Sequence, residues 1–129
     1  MREGAGRPQL TARAALGRRA EDAAADWLRL RGFTLLARNL RLGPLELDLV
    51  ARRGALVVVV EVRTRGPTSY ERPFESLGAT KRANLRRAVG RLWKQRLPGM
   101  QGMERIRIDV AAVSFEAGAT HVEYVEGAL

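Results

Sequence analysis

LELDLVARRGALVVVVEVRTR, running from Leu45 to Arg65, holds two strand patterns on either side of one turn signal. In the first half apolar and polar residues alternate, so that Leu45, Leu47 and Leu49 fall on one face and Glu46, Asp48 and Val50 on the other. The second half, Leu56 to Arg65, is rich in valine and almost wholly apolar, as expected of a central strand covered on both faces. Gly54-Ala55 between them suits a two-residue hairpin turn with glycine in its first position. Counting outward from that turn, Asp48 faces Glu61 and Glu46 faces Arg63, all four on one face of the sheet.

Directly opposed Cβ atoms stand roughly 4.5–5.5 Å apart, so Asp48 and Glu61 repel one another unless something positive lies between them. The residues leave two readings open. In one, the charges form a solvated cross-strand ladder. In the other, Asp48, Glu61 and the backbone carbonyl of Val62 make an all-oxygen site suited to Mg²⁺ or Mn²⁺, where a bound ion can activate water and offset charge on a phosphoryl group. Placement favours the second, because a strand covered on both sides seldom accepts charge that is neither paired nor liganded.

Outward from the hairpin the pattern changes period. From Thr11, residues Leu16, Ala20, Ala23, Ala24, Trp27 and Leu28 follow the three-four spacing of a buried helix face, which Gly32 ends. Phe33 to Arg41 reads as a first strand. Gly66 to Gly78 holds Pro67, Ser69 and Pro73 and reads as a loop. Thr80 is placed to cap a second helix to about Leu97, with an apolar stripe of Leu85, Ala88, Val89, Leu92 and Trp93 and a basic face of Lys81, Arg82, Arg86, Arg87, Arg91 and Lys94. Arg105 to Phe115 and Thr120 to Glu126 read as two further strands around a turn at Ala117-Gly118-Ala119. The expected fold is α/β in the order α-β-β-β-α-β-β, a mixed central sheet flanked by helices. Residues 1–10 are expected to be a disordered tail, and 11–129 one domain.

With 129 residues and 46% hydrophobic residues, one core can form without cross-links. The absence of cysteine excludes disulfides, thiolate metal sites and cysteine nucleophiles. The longest apolar stretch, Ala55 to Val60, is far too short to span a bilayer, and the N-terminus has no apolar segment of the export type. A cytoplasmic protein without a membrane partner is the expectation. A net charge of +9 points to polyanion partners, whose counterions are released on binding, although an arginine-rich proteome would raise the charge without function.

The blocks GRRAEDAAADWLRLRGF, RNLRLGPLELDLVARRG, LVVVVEVRTR, ATKRANLRRAVGRLW and RIRIDVAAV, from Gly17 to Val113, resemble in order and spacing those of the YraN-type proteins of bacteria. The resemblance implies a restriction-endonuclease-like core of the PD-(D/E)xK nuclease superfamily, distantly similar to archaeal Holliday-junction resolvases. It implies that Asp48 and Glu61 hold the ion, that Glu21 ligates it directly or through water, and that Lys81 contacts substrate phosphate. Two positions depart from the pattern. Leu45 stands where a glycine usually precedes the first acid, and Arg63 where nucleases of this fold generally place lysine. Arginine can stabilise phosphate charge through a rigid fork but cannot serve as a base.

The expected catalytic set is therefore Glu21, Asp48, Glu61 and Arg63, with Lys81, Arg82, Arg86 and Arg65 on nucleic acid. The activity expected is hydrolysis of phosphodiester bonds in DNA, with branched or junction structures as candidate substrates and a homodimer as one candidate assembly. A catalytically impaired nucleic-acid binder of the same fold is the alternative, favoured by Arg63. Asp109 is expected to accept structural hydrogen bonds, His121 has no nucleophile pattern near it, and Trp27 and Trp93 are expected in the core. Tyr70 and Phe74 lie in the loop, among Arg65 and Arg72, where either loop packing or contact with unpaired bases is open to them.

Overall fold

A computed structural model of the protein describes residues 11–65 and 77–129. The expected tail at 1–10 and the loop aromatics Tyr70 and Phe74 lie outside the described residues. The elements are α1 (Ala12–Leu30), β1 (Thr34–Leu42), β2 (Leu45–Arg53), β3 (Leu56–Arg65), α2 (Ala79–Gln95), β4 (Arg105–Glu116) and β5 (Ala119–Val125), in the order α-β-β-β-α-β-β. They build one five-stranded mixed sheet in the spatial order β1-β2-β3-β4-β5. Among the described residues only β3 and β4 pair in parallel, and α2 lies in the crossover between them, as a parallel connection requires.

Each element begins and ends for a local reason. Thr11 caps α1 by accepting a hydrogen bond from the Ala14 N–H at 3.0 Å. The hairpin turn at Gly54-Ala55 places only Gly54 at positive φ (60°), and Arg53 pairs with Leu56, giving the expected register as far as Leu49↔Val60. A second tight turn, Gly43-Pro44, joins β1 to β2. There Gly43 has φ 65°, and Arg91 of α2 donates from Nη1 to the Leu42 carbonyl oxygen at 2.9 Å. Gly78, not Thr80, is the N-cap of α2, and it supplies no side-chain cap bond. Leu77, buried in the core just before it, anchors the chain so that the helix starts earlier than the threonine signal.

Two apolar clusters cover the two faces of the sheet. Ala24, Ala25 and Leu28 of α1 pack with Leu49, Ala51, Val58, Val60 and Ala111. Leu85, Ala88 and Leu92 of α2 pack with Leu45, Leu47, Val50, Val57, Val59 and Val110. The valine run of β3 thus divides evenly between the faces, as a doubly covered strand must.

The assignments within β2 correct the simple alternation read from the sequence. Leu45 and Leu47 pack on the α2 side, whereas Leu49 packs on the α1 side, so the strand changes face at Asp48. Across the ladder, Asn39 of β1, between the pairs Arg38↔Leu49 and Leu40↔Leu47, has φ 50°, so a left-handed residue lies opposite this break, and the β1–β2 register itself shifts between Leu35 and Ala37. Trp93 is a second correction. It is 43% exposed and belongs to neither cluster, because it sits at the margin of the buried stripe of α2. Asp109 is fully buried, and its expected role is borne out. It accepts from Arg107 Nε (2.8 Å) and Nη2 (3.0 Å), Tyr124 Oη (2.6 Å) and the Gly127 N–H (2.8 Å). Among the described residues, no helix is long and apolar enough to cross a membrane.

Candidate functional site

Where β2 turns at Asp48, the β2–β3 ladder stops at Leu49↔Val60. Beyond that point a side chain replaces the missing backbone partner, for Asp48 Oδ2 accepts the Val62 N–H at 2.8 Å. In an extended strand the N–H and C=O of one residue point to the same edge, so the Val62 carbonyl faces this gap as well. The ladder therefore does not reach the expected Glu46–Arg63 pair. Glu46 instead lines a separate small cleft with Pro44, Lys81 and Asn84. The face change at Asp48 is the reason, since it carries Glu46 away from the other acids.

Glu61 continues β3 past four buried valines and is itself only 5% exposed. Its Oε2 lies 3.3 Å from Lys81 Nζ at the start of α2, while its Oε1 is buried with no hydrogen-bond partner among the described residues. Burial pushes the Glu61 carboxyl up to about 7, the Asp48 carboxylate adds to that, and Lys81 opposes it. The two acids expected from the hairpin are thus neighbours electrostatically, and one of them has an oxygen still unsatisfied.

Around them opens a cleft of about 860 Å³ whose wall includes Glu21, Asp48, Glu61, Val62, Arg63, Arg65 and Lys81. Glu21 reaches it from α1 and is held at the rim. Asn39 Nδ2 donates to its Oε1 at 3.2 Å, and Arg38 Nη2 lies 3.5 Å from the same atom. Among the described residues no three acids or histidines gather closely enough to form a metal cluster. Arg65 pairs with Glu123 of β5 at 2.6 Å, which fixes its guanidinium beside the cleft. Arg82, half-buried, and Arg86, exposed, stand outside the cleft wall on the flank of α2.

Asn39 and Arg38 are the site residues that sequence reasoning missed. A signal was present, since Asn39 is a polar residue tolerant of left-handed backbone set inside the first strand pattern, but it reads there as an ordinary exposed strand position.

These features define a class: an α/β domain with a mixed five-stranded sheet and a cleft where one buried and two half-buried acids meet arginine and lysine. Within that class the chain belongs to the uncharacterised protein family UPF0102, whose model matches residues 20–113, the family of the YraN-type proteins it resembles. It is 47% identical over 125 residues to a UPF0102 protein of Sorangium cellulosum, covering 96% of this chain and 87% of the relative. It is 42% identical over 127 residues to one of Acidothermus cellulolyticus (92% and 96% covered). A third, from Leifsonia xyli, is 40% identical over 98 residues (76% and 80% covered).

Proposed function

We propose that the protein is a metal-dependent phosphodiesterase that cuts DNA at the Asp48–Glu61 cleft. The carrying observation is the buried Oε1 of Glu61, without a hydrogen-bond partner among the described residues, beside Asp48 in a cleft whose wall also carries Arg13, Arg63, Arg65 and Lys81. An unsatisfied buried carboxylate oxygen costs free energy that a cation would offset. Two carboxylates and the Val62 carbonyl are hard oxygen donors, and they fit Mg²⁺ or Mn²⁺, which keep several waters and so need no third acid in direct contact. When bound, such an ion supplies an acidified water and offsets charge on the phosphodiester.

The chain's own groups supply the remainder. Lys81 stands next to Glu61 and can pass from the carboxylate to a substrate phosphate. Arg63 presents a fork of donors to the phosphate oxygens and, being always protonated, works by charge alone. Glu21, fixed by Asn39 and Arg38, faces the cleft from the opposite wall and orients a water molecule there. In the net reaction the water oxygen bonds to phosphorus, the ester oxygen leaves, and the released proton ends on that oxygen through solvent.

The test is cleavage of linear, flapped and four-way DNAs in Mg²⁺ or Mn²⁺, beside calorimetric titration of Mn²⁺ into wild type, Asp48→Asn and Glu61→Gln. Cutting that both substitutions abolish, together with Mn²⁺ binding weakened tenfold or more, is the expected result. No cutting of any substrate, with Mn²⁺ binding equal in all three proteins, would overturn the proposal. A second reading, a DNA binder without turnover, is favoured by Arg63 in the place of a lysine. It predicts DNA affinity that neither EDTA nor Glu61→Gln alters.

A further inference from the structure

The flank of α2 that carries Trp93 has no role in the cleft, yet its composition is one-sided. Among the seventeen residues of α2 there is no acid, and its first turn carries Lys81 and Arg82 where the helix dipole favours negative charge. On a helix turning 100° per residue, Arg82, Arg86 and Trp93 fall within about 40° of one another, so they form one line along the axis. Arg86 is exposed and Arg82 half-buried, and the line begins beside Lys81, whose ammonium touches Glu61.

Trp93 ends the line. It is 43% exposed, although Arg96 lies over its ring at 4.7 Å from the centroid. Gly90, one turn before it, is exposed too, and a side chain added there would meet nothing within 4 Å. Glycine in an exposed helix interior costs roughly 1 kcal/mol relative to alanine without any packing return here. It does leave a bare patch of backbone next to a flat aromatic ring, between cations.

We infer that this flank of α2 is a track for an unpaired nucleic-acid strand, with Arg82 and Arg86 on its phosphates and Trp93 as a platform on which a base stacks. The inference rests on the reading of the cleft as a nucleic-acid site and narrows its substrate to DNA carrying single-stranded nucleotides. Charge complementarity selects the occupant, because a flank carrying Arg82, Arg86 and Arg96, on a helix with no acid of its own, repels an ordinary basic protein partner and attracts a phosphodiester chain. A duplex buries its base faces and leaves the ring nothing to stack on, whereas an unpaired base offers its π-face to tryptophan and arginine together. From Arg82 to Trp93 the helix rises roughly 16 Å, so the platform engages a nucleotide several positions from the bond at Glu61.

The experiment measures binding in EDTA, where no cutting occurs. Fluorescence anisotropy would compare a labelled fifteen-nucleotide oligo-dT strand with a labelled blunt fifteen-base-pair duplex, for wild type, Trp93→Ala, Trp93→Phe and Glu61→Gln. Trp93→Ala should weaken the single strand about tenfold and the duplex less than twofold, and Trp93→Phe should recover most of the loss. Equal binding of the single strand by wild type and Trp93→Ala would overturn the inference, as would an equal loss on both DNAs. So would a wild-type dimer in sedimentation that Trp93→Ala disperses, since the face would then be covered by a second copy. Wild type assayed for cutting in Mg²⁺ or Mn²⁺ separates the two readings: Trp93-dependent single-strand binding by a wild type that cuts no DNA would defeat the proposed hydrolysis but not the track, whereas cutting without Trp93-dependent binding would defeat the track alone.

Discussion

Glu61 is where the consequences of burial are sharpest. Its carboxyl ionises near 4.5 in the unfolded chain but keeps its proton to about pH 7 in the fold, chiefly because burial disfavours the charge. Between those values the folded protein holds more protons than the unfolded one, so its metal-free stability is full below about pH 4.5 and falls as pH rises toward 7. Glu61→Gln should flatten that dependence and, at pH 8 in EDTA, raise stability by about 1–3 kcal/mol. Thermal melts from pH 5 to pH 8 check this, and parallel profiles for the two proteins would refute it. Asn39 offers a contrasting case. Its positive φ suits asparagine or glycine, while its amide holds Glu21. Asn39→Ala should lose about 1–2 kcal/mol in urea unfolding, and Asn39→Gly should lose less while still releasing Glu21. Equal losses would show that the backbone conformation is not what asparagine is there to provide.

Elements join these residues, and the hairpins show what a sequence can and cannot convey about them. Gly43→Ala forces a side chain into positive φ and toward the Arg91 guanidinium that grips the Leu42 carbonyl. A loss of about 1–2 kcal/mol is expected, and adding Arg91→Ala should restore only the steric part, which a double-mutant cycle in denaturant would read out. The β2–β3 hairpin was legible because a two-residue turn and a valine run leave one register, and that register brings Asp48 toward Glu61. The face change at Asp48 was not legible, for it breaks the alternation opposite a left-handed residue of the neighbouring strand, and the residue pattern of β2 carries no record of that. Hence Glu46 was grouped with acids it does not meet. The start of α2 was misplaced for a similar reason: Thr80 is a good cap locally, but burial of Leu77 decides where the helix begins. Trp93 was assigned to the core because spacing locates a helix face to within a residue, and it lies just over that margin.

At the scale of the molecule, the far edge of the sheet is tied down by Asp109. Four hydrogen bonds, including both from Arg107, satisfy its buried carboxylate, and the Arg107 guanidinium is held more firmly protonated by it. Asp109→Ala should cost about 3–5 kcal/mol in denaturant unfolding, because it leaves the Arg107 charge without its principal buried partner. A loss under 1 kcal/mol would mean that β4 and β5 hold together without this node. The same node reaches α1 through Tyr124, whose ring stacks on Trp27 with centroids 4.1 Å apart and planes 11° from parallel. That stack joins the first helix to the last strand, and Arg31 covers the indole as well, at 3.6 Å. Two chromophores held so close absorb as a coupled pair and pass excitation from tyrosine to tryptophan. The protein thus carries its own optical gauge of α1 docking, one that weakens when that helix lifts from the sheet even if α2 stays folded.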